Sequence, residues 1–280
     1  MRRIPALSAA LAVAMVLAGT GCTYLKSRDQ LTKGMANYRN AKYGDAVENF
    51  KQAIALDPKW TVPRLYLATS YMIQWIPGAE SPENLEFAKN AQQEFLKVLD
   101  QDPKEKTALA SLAMIAYNEA APLPLEQKLI KYDEAAKWQR RRIEVDPNEK
   151  EAYYSLGVIA YAKWVPVLMT ARSNLRMKIE DPGPLKDKKV RDDLKAQYGP
   201  IVDEGMRNLQ KAIEIDPEYE AAMIYLNILI RQRADLLDSA EEYKQQIELA
   251  DSWQNKVMDV KKIKNERQQK KGQGVIADGK

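Results

Sequence analysis

The chain has few side chains of the kinds that catalyse reactions or bind metals. It contains one Cys and no His among 280 residues. A Ser-His-Asp triad, a Cys-His dyad and a His-containing zinc site are therefore excluded. A single thiol also excludes an intramolecular disulfide and a cysteine metal cluster. Paired carboxylates of the glycosidase kind stay open on composition, since 39 residues are Asp or Glu. Each acidic cluster also fits a turn or a solvated helix face, so we expect no cofactor, no metal and no enzymatic activity.

The only cysteine, Cys22, ends a segment with the layout of an export signal. Arg2 and Arg3 come first, an uncharged stretch rich in Ala, Leu and Val covers 4–18, and small residues occupy 19–21. About 15 apolar residues are short for a transmembrane helix. The alternatives are a weak membrane anchor or an ordinary signal with an incidental cysteine.

This segment resembles a bacterial lipoprotein signal. The resemblance implies that 1–21 is a signal peptide that is removed and that Cys22 carries lipid at the head of a short linker, 22–26. In that family an Asp after the cysteine favours the inner membrane, whereas this chain has Thr23 there. The resemblance therefore implies anchoring at the periplasmic face of the outer membrane, with inner-membrane anchoring as the less favoured alternative.

The rest of the chain contains an internal repeat. Four apolar segments each end in Asp-Pro, with the prolines at Pro58, Pro103, Pro147 and Pro217. Proline disfavours helical backbone at the residue before it, and Asp can bond to the backbone of a turn. The spacing predicts helices that end at each Asp-Pro.

These units resemble the tetratricopeptide repeat, a helix-turn-helix unit of 34 residues. Aligned on their prolines, five units start at Ser27, Thr61, Lys106, Lys150 and Glu220. Small residues at repeat positions 8 and 20 let the two helices of a unit approach closely. The resemblance implies an all-α solenoid of about five helix-turn-helix units over 27–250.

Three units are longer than the family standard, and the extra residues fall near 73–84, 118–128 and 162–200. Proline recurs at repeat position 17 as Pro77, Pro122 and Pro166, and Trp75 and Trp164 share position 15. Because an interior proline costs a helix about 3 kcal/mol, we expect a break at each. The extra residues then form elongated leading helices or added short helices. The part from 167 to 200 is either an arm over the groove or a surface excursion.

The C-terminal part differs from the repeats. A helical stripe from Leu236 to Val260 is expected to form a long helix that caps the array. Its continuation over 251–271 is basic, which suits anionic lipid, an acidic partner or a solvated face. The last residues, 272–280, are predicted to be disordered. The modest net charge of +4 gives no indication of nucleic-acid binding.

The resemblance also implies a concave groove lined by the leading helices. The predicted groove residues are Leu31, Met35, Tyr38, Leu65, Thr69, Met72, Ala110, Met114, Tyr117, Tyr154, Val158, Tyr161, Ile224 and Ile228. Met and Tyr adapt to apolar partners. Such a wall suits an amphipathic helix, an extended peptide or a lipophilic ligand. Alternatively, the insertions fold over these residues and bury them as core.

The resemblances together predict a membrane-anchored periplasmic adaptor that binds protein partners, with a role in envelope assembly. The alternative is a periplasmic ligand-binding lipoprotein associated with a transporter. The sequence leaves the partner and the oligomeric state open.

Overall fold

A computed structural model describes residues 23–178 and 180–277, with side chains as far as Lys270. Cys22 and the predicted signal 1–21 lie outside the described residues. The described chain forms helices and connecting loops without a strand, which confirms the all-α prediction. No described helix is long and apolar enough to cross a membrane. The helices are α1 (23–39), α2 (Tyr43–Leu56), α3 (Thr61–Gln74), α4 (Pro82–Gln101), α5 (Lys106–Glu119), α6 (Leu125–Val145), α7 (Lys150–Asn174), α8 (Lys188–Ile215), α9 (Glu220–Ala234) and α10 (Ala240–Ala277).

The chain divides into two compact units at Pro124. Unit 1 contains α1 to α5, and unit 2 contains α6 to α10. The boundary falls inside the third predicted repeat, whose leading helix α5 belongs to unit 1 and whose second helix α6 belongs to unit 2.

The four Asp-Pro turns end their helices in the same way. At Asp57, Asp102, Asp146 and Asp216 the backbone N–H donates to the carbonyl four residues earlier, and the Asp carbonyl accepts from the N–H three residues later. At the last three positions the Asp side chain also accepts from the backbone N–H two residues on, at 3.0 Å. These bonds satisfy backbone groups that a helix end leaves open, and they confirm the predicted helix ends.

The core of unit 1 includes a close approach of α1 and α2. A Cβ added at Gly34, repeat position 8, would lie 2.5 Å from the ring of Phe50 at position 24. Phe50 is fully buried beside Ala46 and Val47. Glycine at 34 therefore lets the aromatic ring fill the space between the two helices.

Unit 2 repeats this packing between α7 and α8. A Cβ on Gly157, again at position 8, would lie 2.3 Å from Cγ of Leu209 at position 24, and one on Gly205 would lie 2.4 Å from Cβ of Ala160. Leu209 is fully buried with Leu226 and Leu229 of α9. The small residues at positions 8 and 20 thus have the packing role that the repeat pattern predicted.

The insertions lengthen helices. The loop 75–81 leads into the 20-residue α4 of unit 1, and 120–124 leads into the 21-residue α6, the first helix of unit 2. In the fourth repeat α7 has 25 residues and α8 has 28, joined by the loop 175–187. Of the two predicted arrangements, the fourth repeat has the elongated leading helix.

The predicted break at Pro166 is wrong. Pro166 lies inside α7, and Pro200 lies inside α8. The turns around Pro166 contain Trp164 and Leu168, which are both buried in the core of unit 2. Packing of these large side chains outweighs the loss of one backbone hydrogen bond at proline.

Both ends of the array are more helical than predicted. Residues 23–26, predicted as a linker, belong to α1. At the other end α10 continues across the predicted boundary at 250–251 and through 272–277, where a disordered tail was expected. Ala250, Val257 and Val260 of the predicted stripe are buried, and Val257 and Val260 pack with Met223 of α9. Ala240 of that stripe is exposed because it is the first residue of α10.

Candidate functional site

The predicted groove residues are mostly at the surface. Met114 and Ile224 are exposed, and the other members apart from Leu31 are half-buried. The prediction that Leu31 lines the groove is wrong, because Leu31 is 9% exposed and packs with Phe50 and Leu67 in the core of unit 1. The insertions therefore leave most of the predicted groove residues partly accessible.

Unit 2 brings two predicted groove residues into a cluster of four tyrosines. Tyr154 and Tyr161 come from α7, Tyr225 from α9, and Tyr219 directly precedes α9. The ring centroid of Tyr154 is 5.2 Å from that of Tyr219 and 5.7 Å from that of Tyr225, and Tyr161 is 5.3 Å from Tyr225. The Tyr225 pairs are edge-to-face, the arrangement that aromatic quadrupoles favour. We call these four residues the tyrosine cluster.

Polar contacts fix one end of the tyrosine cluster. The Tyr219 hydroxyl donates to a Glu151 carboxylate oxygen at 2.5 Å. The Lys150 ammonium forms a 2.6 Å ion pair with Asp216 and lies 5.0 Å from the centre of the Tyr219 ring. Burial and the neighbouring Glu151 carboxylate raise the pKa of Tyr219, and burial raises the pKa of Tyr154. Both phenols therefore stay neutral near physiological pH.

Unit 1 contains a related pair. Tyr38, a predicted groove residue at repeat position 12, lies 6.1 Å from Tyr66 at position 6 of the next repeat. Tyr161 and Tyr225 occupy the same positions, 12 and 6, in unit 2. Sequence reasoning missed both position-6 residues. The sequence did contain an indication of these two residues, because tyrosine recurs at repeat position 6, which was not among the positions assigned to the groove.

A cavity of about 300 Å³ lies within unit 2. Its apolar lining includes Leu168 and Met169 of α7, Ile228 of α9, and Tyr243 and Ile247 of α10. Glu180 and Asp181, from the insertion predicted as a possible arm, line it as well. The cavity thus combines a predicted groove residue, Ile228, with the elongated end of α7 and the following loop.

A buried ion pair positions that loop. The Arg172 guanidinium lies 2.6 Å from Asp235, and each side chain is 6% exposed. Arg172 also donates to the backbone carbonyls of Lys178 and Asp181, at 2.6 and 2.7 Å. Burial raises the pKa of Asp235, and the Arg172 charge opposes this increase. The pair ties the end of α7 and its loop to the end of α9.

Two of the three acidic groups that line the cavity have structural contacts. Asp235 is paired with Arg172, and a carboxylate oxygen of Asp181 accepts from the Lys178 N–H at 2.8 Å. Over the described residues, no group of three or more Cys, Asp or Glu side chains is placed to hold a metal ion.

Part of the basic C-terminal helix is neutralised within unit 2. Lys264 forms a 2.7 Å ion pair with Glu220, and Arg267 forms one of 2.6 Å with Glu218. These pairs hold α10 against the start of α9.

Comparison with known proteins identifies the fold. No protein-family profile and no curated protein matches the sequence. Among solved structures, one of a MamA protein superposes with a TM-score of 0.52 at 14% identity, covering 86% of this chain and 94% of that one. A second MamA structure gives 0.51 at 15% identity, covering 83% and 96%. Together with the paired helices, the small residues at positions 8 and 20 and the Asp-Pro turns, this similarity shows that the chain has the tetratricopeptide-repeat fold.

Proposed function

We propose that this protein is a scaffold that binds a segment of a partner protein on the tyrosine cluster of unit 2. The observation that carries the proposal is a cluster of four half-buried tyrosines on neighbouring helices, held in place by Glu151 and Lys150. Tyrosine contributes a large contact area with few rotatable bonds, and it is enriched among residues that dominate binding energy.

The partner segment that fits this surface is an extended peptide or the apolar face of an amphipathic helix. The cluster offers ring edges and faces in a partly solvated setting, and Ile224 and Val158 add aliphatic surface.

We further propose that Cys22 carries a lipid that holds the protein at the periplasmic face of the outer membrane, where it acts in envelope assembly. The support is the sequence alone, namely the 21-residue segment that resembles a lipoprotein signal and the position of the only cysteine directly after it. Mass spectrometry of the N-terminal peptide from native membranes tests the lipid. With 1–21 replaced by an ordinary cleaved export signal, a chain with Cys22→Ser should stay in the soluble fraction, and membrane association equal to that of the native chain would contradict the lipid anchor.

The binding proposal is tested by crosslinking in native membranes followed by quantitative recovery of the crosslinked partner. Replacing both Tyr161 and Tyr225 with Ala should reduce recovery by about tenfold, the loss expected from one to two interface hot spots. The matched control replaces Tyr71 and Phe87, an aromatic pair of unit 1 with centroids 6.5 Å apart that lies outside the predicted groove, and should leave recovery unchanged. Equal recovery by both double variants would refute the assignment of the site.

The cavity supports a second candidate function, binding of a small ligand with both apolar and polar groups for an associated transporter, because Arg231 and Gln232 line it beside the apolar residues. Its volume of about 300 Å³ is at the lower end of the range for small-molecule sites. Native mass spectrometry of the protein from its own membranes would reveal a bound small molecule. Filling the cavity with Met169→Trp should displace such a ligand while leaving partner capture by the tyrosine cluster intact.

A further inference from the structure

We propose that one edge of unit 1 is a membrane-contacting surface that holds this unit directly against an anionic bilayer. The surface, which we call the N-terminal edge, consists of Tyr24, Leu25 and Lys26 from the first turn of α1, and Lys59 and Lys104 from the first two Asp-Pro turns. The inference deepens the proposed lipid anchoring of Cys22 and rests on it.

The N-terminal edge is connected by specific contacts. The Ser27 hydroxyl donates to the carbonyl of Ala53 at 3.0 Å, which joins α1 to the end of α2. The Arg28 guanidinium lies 4.4 Å from the centre of the Tyr24 ring and 3.1 Å from that of Trp60. These contacts hold the start of α1 beside the first Asp-Pro turn. The Gln101 amide donates to the Pro58 carbonyl at 3.1 Å and brings the second turn alongside the first.

The proposed lipid anchor at Cys22 is close enough to the N-terminal edge to bring this edge to the membrane. Leu25 is three residues after Cys22, which corresponds to at most about 10 Å of chain. Residues 23–26 are helical, so no extended linker separates the described fold from Cys22. A lipid on that cysteine therefore brings the first turn of α1 to the level of the headgroups.

The composition of the edge suits that environment. Tyr24 is 52% exposed and Leu25 is 67% exposed, so both large side chains are available to contact a membrane surface. Lys26, Lys59 and Lys104 are also exposed. Aromatic and aliphatic side chains combined with lysines are typical of the membrane interface, where the rings and stems lie among the acyl chains and the ammonium groups meet anionic headgroups.

The acidic groups at this edge have partners within the fold. Asp57 lies 3.6 Å from Arg28. A carboxylate oxygen of Asp102 accepts from the Lys104 N–H at 3.0 Å, and Glu105 caps the start of α5 by accepting from the Ala108 N–H at 2.5 Å. Asp102 and Glu105 keep their charge but are held by backbone groups of the fold, whereas the longer, exposed side chains of Lys26, Lys59 and Lys104 can extend their ammonium groups to the headgroups.

The corresponding turns of unit 2 lack this charge. The positions of Lys59 and Lys104 are occupied there by Asn148 and Glu218, and Glu218 is paired with Arg267. The basic edge is therefore a property of the unit that follows the predicted anchor.

Radical footprinting on vesicles tests the contact. The chain starting at Cys22 is coupled through its only thiol to maleimide lipid in vesicles of phosphatidylcholine and phosphatidylglycerol, and compared with the same chain capped by N-ethylmaleimide. Oxidation of Tyr24 and Leu25 should fall by about threefold on the vesicles, because both side chains leave water. Ile73 and Ile76, which are exposed at the other end of α3 from Lys59, should be oxidised equally in both forms.

Charge reversal supplies the matched variants. Lys59→Glu with Lys104→Glu should restore oxidation of Tyr24 and Leu25 on the vesicles, whereas Lys189→Glu, at an exposed lysine of unit 2, should not. Equal oxidation of the coupled and capped wild-type chains would overturn the proposed contact. Because the maleimide supplies the anchor, that outcome is separate from a failure of native lipidation, which the mass of the N-terminal peptide reports.

Discussion

Trp75 and Pro77 of unit 1 occupy the same repeat positions as Trp164 and Pro166 of unit 2, yet the chain follows different paths after them. In unit 1, α3 ends at Gln74, Trp75 is extended, and Gly78 has a φ of +84°. In unit 2, α7 continues through Trp164 and Pro166 to Asn174. The same Trp-x-Pro sequence therefore follows the end of α3 in unit 1 but lies within α7 in unit 2.

The difference arises from what the following residues can contact. In unit 1 the Asn84 side chain accepts from the Ile76 N–H at 2.7 Å and donates to the Ile76 and Ala79 carbonyls at 2.8 Å, which stabilises a loop. In unit 2 the residues after Pro166 bury Leu168 in the core, with Trp164 packed 5.8 Å from the Tyr198 ring of α8. Burial of large side chains, at about 1.5–3 kcal/mol each, outweighs the cost of proline.

The largest expected effect is on the buried tryptophan of unit 2. Trp164 is fully buried, so Trp164→Ala should lower the free energy of unfolding of unit 2 by about 3–5 kcal/mol. Trp75 is also buried, at 8% exposed, but it follows the end of α3, so Trp75→Ala should cost somewhat less. Hydrogen exchange across a denaturant series, read in peptides from each unit, measures the loss of stability in both variants. Equal losses would show that α7 does not depend on Trp164 more than α3 depends on Trp75.

The buried ion pair should rank next. Arg172→Met leaves Asp235 buried without its partner and should cost about 3 kcal/mol, whereas Arg172→Met with Asp235→Leu should recover most of this loss. In unit 1, Arg64→Met should cost less, because Glu94 retains an ion pair with Lys97.

The pH dependence of the Arg172→Met variant sharpens this test. Burial raises the pKa of Asp235 in the native state, and removing Arg172 should raise it further. The native state then binds a proton more tightly than the unfolded chain, so the variant should lose stability as pH rises above the ordinary carboxyl pKa of about 4. The difference from wild type should be smaller near that pH than near neutrality. A difference independent of pH would contradict a charged, unpaired Asp235.

The close contacts between helices at Gly34 and Gly205 predict a smaller loss of stability on substitution, one in each unit. Gly205→Ala should cost about 2 kcal/mol because the new methyl would meet the Ala160 Cβ at 2.4 Å, and neither group can rotate away. Gly34→Ala should cost a similar amount by displacing the Phe50 ring. Gly44→Ala, which meets nothing within 4 Å, is the matched control. Equal melting temperatures for the Gly205→Ala and Gly44→Ala variants would contradict the packing argument.

The two prolines should give the smallest effects, with opposite signs. Pro166→Ala should stabilise unit 2 by about 1 kcal/mol, since Ala restores a helical N–H and favours helix. Pro77→Ala should slightly destabilise unit 1, because the unfolded chain gains freedom and no helical bond is restored. Equilibrium denaturation of the two variants measures the difference, and effects of the same sign would contradict it.

The repeat pattern predicted much of this fold because its determinants are local. Each Asp-Pro pair ends a helix through bonds within a few residues, and the small residues at positions 8 and 20 follow from the contact inside one helix pair. The pattern also placed Tyr154 and Tyr161 at the surface of unit 2. It misplaced Leu31 because a repeat position does not specify which side chains the neighbouring helices cover.

The sequence by itself determined the helix pairs, their ends at Asp-Pro, the absence of histidine chemistry and the position of the only thiol. The tertiary structure decided the path through Pro166, the pairing of Arg172 with Asp235, and the inclusion of Tyr219 and Tyr225 in the tyrosine cluster. The physical reason is the range of the interactions. Helix ends depend on bonds between near neighbours in sequence, whereas burial and buried charge depend on residues far apart in sequence, such as Arg172 and Asp235, which are 63 positions apart.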